Sequence, residues 1–90
     1  MKYEVSFYEM DYGANIFAGP DNCYKVEYID IPDPDKYKET MDAFVSTVKD
    51  SYGNVCEPQE FKIFGYDFQY TSHTGGVKIK EYKIPHFLTF

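Results

Sequence analysis

The chain of 90 residues contains no tryptophan and no arginine, and it has only two cysteines. The lack of arginine argues against direct nucleic-acid binding, because phosphate recognition needs cationic side chains and favours the bidentate guanidinium group. The same shortage of positive charge argues against docking on an anionic membrane. Two cysteines are too few for the disulfide framework of a small secreted domain, so a reducing, cytoplasmic location is predicted.

The sequence also lacks the long apolar runs and motifs that mark a membrane span or a catalytic centre. No segment approaches the ~18 consecutive apolar residues of a membrane helix, and the N-terminus alternates like a strand rather than a signal peptide. Neither a nucleophile elbow nor a phosphate-binding glycine loop is present. The potential zinc ligands are spaced too widely to form the usual close pairs: Cys23, Cys56, His73 and His86. We therefore expect no enzymatic activity, no cofactor and no metal.

What the chain has in abundance is aromatic residues and negative charge. Ten tyrosines and eight phenylalanines make up 20% of the residues, and the formal net charge is −6. Ninety residues favour one small domain spanning 1–90, since separate cores rarely form below roughly 50 residues. Large rings let so small a domain bury more area per residue.

Alternating apolar residues predict two strands in the first third of the chain. Residues 2–10 place Tyr3, Val5 and Phe7 on one face. A loop with several turn-forming residues spans Asp11–Asn22, and the second strand follows it. This strand is predicted to point Tyr24, Val26 and Tyr28 inward.

The next segment carries the signature of an amphipathic helix. Asp33 is a good N-cap and Pro34 suits the first helical position. An apolar stripe at helical spacing is predicted to pack on the sheet, and it comprises Tyr37, Met41, Phe44, Val45, Val48 and Tyr52. Gly53–Asn54 is the predicted left-handed stop.

The last third predicts two further strands. Residues 60–71 read as one strand, in which a β-bulge at Phe64–Gly65 brings all the large side chains to one face. A turn over Ser72–Gly76 leads to a fourth strand over residues 77–84. The predicted fold is therefore α+β with the order ββαββ, a four-stranded, mainly antiparallel sheet with one helix on one face.

More large apolar residues are present than one helix–sheet interface needs. An exposed sheet face or loop tip that carries such residues is typical of a protein interface. The aromatic and apolar candidates for protein binding are Tyr8, Tyr12, Ile16, Phe17 and Phe64, and we expect acidic residues Glu39 and Asp42 to support them. These two belong to a predicted acidic helix side with Asp35 and Asp50, whose charges are too sparse to imitate DNA. A merely solvated helix face is the alternative interpretation.

These observations favour a non-enzymatic protein-interaction module, a small acidic inhibitor or regulatory protein of the phage or mobile-element type. Its expected partner is another protein with a basic surface that handles nucleic acid. Two alternatives stay open. One is a self-associating structural domain, in which a homodimer forms through an edge strand or the apolar C-terminal tail. The other is a small-ligand-binding or enzymatic domain with a pocket between sheet and loop.

Overall fold

A computed structural model describes residues 1–10, 20–63 and 65–82 of the chain. These residues form five strands, β1 (Lys2–Met10), β2 (Pro20–Asp30), β3 (Glu57–Ile63), β4 (Tyr66–Thr71) and β5 (Gly75–Tyr82). One turn of 3₁₀ helix, Pro34–Lys36, leads into the helix α1 (Tyr37–Val45). The strands make one antiparallel sheet in the order β2-β1-β5-β4-β3. The α+β class is as predicted, but the strand count and element order are not.

The predicted third strand is in fact two strands joined at Gly65. Ile63 lies opposite Tyr66, and Lys62 lies opposite Asp67, so β3 and β4 form a hairpin. Gly65 adopts a φ of 82°, a left-handed conformation that glycine reaches without steric penalty. The prediction of a bulge at this position is therefore wrong. A glycine between two apolar runs suits a bulge and a tight turn equally well, and pairing decides between them.

A bulge does occur, but in β2, at Tyr24. Phe7 pairs with Lys25 and the next residue, Tyr8, pairs with Cys23, so Tyr24 is the extra residue. The Tyr24 ring stays on the core side, 6.3 Å from the Phe7 ring. Val26 lies opposite Ser6 of β1, which alternates with the inward residues Val5 and Phe7. The prediction that Val26 and Tyr28 point inward is therefore wrong: both lie on the other face of the sheet.

The helix begins as predicted and ends earlier. The Asp33 carboxylate accepts a hydrogen bond of 3.0 Å from the Asp35 amide, as an N-cap should. The helix ends at Val45, where the Ser46 and Thr47 hydroxyls donate to backbone carbonyls three residues back, at 2.8 and 2.7 Å. Such local bonds compete with helical ones.

The residues beyond the helix therefore differ from the prediction. Val48 and Tyr52 follow the helix instead of extending it. Gly53 has the expected left-handed φ of 81°, but it closes a turn in which its amide donates to the Asp50 carbonyl at 3.0 Å.

The core lies between α1 and the sheet. Met41 and Val45 of the helix are fully buried, as predicted, and the sheet supplies Val5, Phe7 and Val77. Tyr37, Phe44 and Val48 pack against this cluster while staying partly buried. Each fully buried side chain of this size contributes about 1.5–3 kcal/mol. The sheet face toward α1 is called the covered face below.

Candidate protein-binding surface

The opposite face of the sheet, called the uncovered face below, carries side chains that alternate with those of the core. Its members follow from the pairing of β1 with β2 and β5. They are Lys2, Glu4, Ser6 and Tyr8 of β1, Cys23, Val26, Tyr28 and Asp30 of β2, and Gly76, Lys78, Lys80 and Tyr82 of β5. Val26, Tyr28 and Tyr82 are among the most exposed large side chains of the described residues. This face therefore presents apolar and aromatic area to solvent.

Three rings form an aromatic cluster at one end of the uncovered face. The Tyr8 ring meets the rings of Tyr66 and Phe68 edge-on, at centroid distances of 5.4 and 5.7 Å. Tyr66 and Phe68 are stacked, with 5.9 Å between centroids. Phe68 is fully buried although it lies on the side away from the helix. Contacts between the three rings therefore pack this end of the face.

Gly76 makes room for the Phe68 ring. A Cβ atom at Gly76 would lie 2.8 Å from Phe68 Cδ1 and 3.0 Å from the Met10 sulfur. The ring reaches this position because the pairing of β4 with β5 covers only Tyr70 and Thr71, so the part of β4 before Tyr70 is free to diverge from β5. There the Ile79 amide donates a hydrogen bond of 2.9 Å to the Gln69 side-chain carbonyl. Tyr70 faces the helix, whereas Phe68 crosses to the uncovered face.

Two exposed tyrosines stand at the other end of the face. The Tyr28 and Tyr82 rings meet edge-on with centroids 5.5 Å apart. Their side chains are 56% and 42% exposed. Tyrosine is enriched at the centres of protein interfaces because its ring offers large contact area while its hydroxyl stays hydrogen-bonded. These two rings are the best anchors that the described residues offer to a partner.

Charge is nearly balanced on the uncovered face. Among its listed members on β1, β2 and β5 are three lysines and two carboxylates. Lys80 and Glu4 form an ion pair at 3.4 Å, and the Lys78 ammonium group lies 5.4 Å from the centroid of the Tyr66 ring. The described residues of this face therefore do not share the net negative charge of the chain.

The predicted binding residues fall in three places. Tyr8 lies in the aromatic cluster, where burial raises the pKa of its hydroxyl. Glu39 is exposed and forms an ion pair with Lys36 at 3.4 Å. The remaining apolar candidates lie outside the described residues, namely Tyr12, Ile16, Phe17 and Phe64. Tyr8 and Glu39 are not part of one site, since one belongs to the uncovered face and the other to the helix.

Asp42 is held by two neighbours on the helix side. Its carboxylate accepts hydrogen bonds from Lys38 at 2.8 Å and from the Tyr70 hydroxyl at 2.5 Å. The bonds from Lys38 and Tyr70 hold the pKa of Asp42 below its usual range. Burial, together with the bond to Asp42, raises the pKa of Tyr70. This geometry ties the helix to β4.

Asp50 does not extend the acidic helix side as the sequence predicted. The helix ends before it, and its carboxylate is buried. It accepts hydrogen bonds from the amides of Tyr52 and Asn54, at 2.9 and 3.0 Å, and from the Thr74 hydroxyl. Its role is to hold the turn after α1 against the β4–β5 turn, so it supplies no charge for a partner.

The described residues bring no cluster of potential metal ligands together. No group of three or more potential ligands comes together among them, and His86 lies beyond the described part of the chain. Both cysteines are free; Cys23 is exposed, whereas burial raises the pKa of Cys56. A groove of about 550 Å³ beside β3 and β4 includes His73 and Glu57, but no bond couples the two. Within the described residues, no helix has the length and apolar character needed to cross a membrane.

Comparisons of the chain with family models, curated proteins and solved structures found no match.

The most exposed tyrosines of the uncovered face were missed at the sequence level. Tyr28 follows a bulge that reverses the inward and outward positions of β2. Tyr82 continues the outward alternation of Lys78 and Lys80, because the pairing of β5 with β1 is regular through Tyr82. One signal was available: Ile29 and Ile31 interrupt the alternation of the tyrosines, and they turn out to pack on or in the core.

Proposed function

We propose that this chain is a non-enzymatic protein-interaction module that binds another protein through its uncovered face. The observation that carries the proposal is the pair Tyr28 and Tyr82, two adjoining, exposed rings on a sheet face away from α1. Central aromatic anchors provide most of the energy of a typical interface, and surrounding contacts that contribute little energy exclude water from them.

The proposal puts aromatic contact first and charge second. Glu39 and Asp42 already have lysine partners in or just before the helix, at 3.4 and 2.8 Å. Exposed pairs of this kind contribute little on their own. A basic, nucleic-acid-handling partner, an inhibitory role and a cytoplasmic location therefore stay predictions from the sequence, without added support from the helix side.

Cys23 offers a direct test of where a partner binds. It is exposed and lies opposite Tyr8 on the uncovered face, whereas Cys56 is buried and should not react in the folded chain. A photo-crosslinker attached to Cys23 should capture partner proteins from a lysate of the native host. Unlabelled wild-type chain should compete with this capture, and the Tyr28→Ser/Tyr82→Ser variant should not.

A matched control moves the crosslinker off the face. Tyr52 is 70% exposed and lies in the turn after α1, so the Cys23→Ser/Tyr52→Cys variant carries the same probe elsewhere. We expect this probe to capture different proteins or none. If both probes capture the same proteins with equal yield, or if the tyrosine variant competes as well as wild type, the uncovered face is not the binding surface.

A further inference from the structure

The outer edge of β2 is the longer of the two edges of the described sheet. β2 spans eleven residues, against seven for β3, and no strand of the described ranges pairs with its outer side. β3 contains Pro58, next to an irregularity in its pairing, and proline blocks the addition of a strand. Of these two edges, β2 is therefore the one suited to pairing with another strand.

Hydrogen-bonded and non-hydrogen-bonded residue pairs alternate between β1 and β2, and this alternation identifies which backbone groups of β2 face outward. Met1 and Ile31 exchange two hydrogen bonds of 2.8 Å, so they are a hydrogen-bonded pair. Pairing stays regular from there to Lys25, and hydrogen-bonded pairs recur at every second residue of an antiparallel ladder. The amide and carbonyl groups of Val26 and Tyr28 consequently point away from β1.

The charges beside Val26 are self-complementary. Lys25 and Glu27 flank it with their side chains on the same side of the strand, and Lys25 Nζ lies 3.3 Å from Glu27 Oε1. If two copies of β2 pair antiparallel with Val26 on the two-fold axis, each Lys25 lies opposite Glu27 of the other copy. A two-fold axis at Lys25 or Glu27 would place like charges opposite each other, which is unfavourable. An axis at Tyr28 would pair Glu27 with Ile29, with no charge match.

We propose that β2 pairs with β2 of a second copy of this chain, with Val26 on the two-fold axis and two reciprocal Lys25–Glu27 ion pairs. A two-fold axis perpendicular to the sheet keeps the same face of both copies on the same side. The dimer joins two uncovered faces side by side, and Tyr28 of each lies near the junction. This interface uses the strand edge, so it does not depend on the proposed binding function of the face.

The test uses sedimentation velocity on the full chain over a wide concentration range at fixed ionic strength. Wild type should show a monomer–dimer equilibrium. The Lys25→Glu and Glu27→Lys variants should each weaken dimerisation by at least about tenfold, because each puts like charges opposite each other twice. An equimolar mixture of these two variants should dimerise about as well as wild type, since opposite charges then meet at both positions.

Two further variants separate edge pairing from other contacts. Val26→Pro removes an outward amide and should abolish the dimer, whereas Val26→Ala keeps the amide and should largely retain it. Lys36→Glu reverses a similar exposed charge in the 3₁₀ turn before α1 and should have no effect. Circular dichroism checks that each variant is folded, and the charge variants test the interface even if Val26→Pro does not fold.

The proposal is overturned by a wild-type chain that remains monomeric throughout, or by a dimer that tolerates Lys25→Glu. It is equally overturned if the two charge variants fail to associate when mixed. A dimer strengthened by Glu27→Gln would place the axis at Glu27 and would contradict the register proposed above.

Discussion

The two faces of this sheet are built from the same strands and differ in how their side chains are packed. On the covered face, Val5, Phe7 and Val77 meet the helix and are fully buried. On the uncovered face, burial is confined to one end, where Phe68 lies over Gly76, and the other end exposes Tyr28 and Tyr82. The covered face is core where the helix lies over it, whereas the other face is buried at one end and exposed at the other.

This difference shows how a chain of 90 residues can be stable and still expose aromatic area. The aromatic cluster buries one end of the uncovered face without a second helix, because ring-to-ring and ring-to-glycine contacts replace a packed layer. The exposed rings of Tyr28 and Tyr82 at the other end are carried by strands of the same sheet. A pre-organised surface loses less side-chain entropy on binding, which favours affinity.

The largest expected effect is on the covered face. Phe7→Ala should reduce the free energy of unfolding by about 3–5 kcal/mol, because it leaves a cavity in a fully buried site. Phe44→Ala should have a smaller effect, since the Phe44 ring is only partly buried at the edge of this core. Urea denaturation followed by circular dichroism measures both, and equal losses would show that the core is misplaced.

The next effect tests the buried end of the uncovered face. Gly76→Ala should lower the free energy of unfolding by about 1–3 kcal/mol, because the new methyl group overlaps the Phe68 ring. In a Phe68→Leu background, the same substitution should have a clearly smaller effect. A double-mutant cycle by urea denaturation measures this coupling. Strict additivity would mean that the ring does not lie over the glycine.

A smaller, pH-dependent effect is expected on the helix side. Because the pKa of Asp42 is lowered in the folded state, its bonds to Lys38 and Tyr70 stabilise the fold above the unfolded pKa, near 4. That stability is lost as the pH falls through the lower folded value. Asp42→Asn should therefore be less stable than wild type at pH 7, with the difference shrinking below pH 4. A difference that stays constant down to pH 2 would contradict the lowered pKa.

The smallest effect on stability should come from the exposed tyrosines. Tyr28→Ser/Tyr82→Ser should change the free energy of unfolding by less than about 1 kcal/mol, within the range of surface substitutions. Thermal unfolding of this variant beside Tyr52→Ser provides the comparison. A loss as large as that of Phe7→Ala would mean that the two rings belong to the core and are not available to a partner.

The sequence predicted those parts of the fold that depend on local chemistry. The Asp33 cap, the start of the helix, the inward residues of β1 and the burial of Met41 and Val45 are local patterns, and the structure confirms them. The five-strand count was not predicted because the turn at Gly65 depends on β3 and β4 pairing with each other. Local alternation carries no information about that pairing.

For the candidate surface, the sequence indicated the type of surface better than the residues that form it. An exposed aromatic sheet face was expected, and Tyr8 was assigned to it. Tyr28 was not assigned, because the position of the bulge at Tyr24 depends on register with β1. Tyr82 was not assigned either, although it continues the regular outward alternation of β5. Asp50 was wrongly assigned to the acidic helix side, because contacts distant in sequence bury its carboxylate.

The most direct test of the binding surface uses the partner captured through Cys23. Its affinity for wild type, for Tyr28→Ser/Tyr82→Ser and for Tyr52→Ser can be compared by isothermal titration calorimetry at two salt concentrations. The face variant should bind at least about tenfold more weakly at both, and Tyr52→Ser should bind like wild type. Unchanged affinity in the face variant, together with a steep loss on adding salt, would contradict an aromatic interface and point to the acidic surfaces instead.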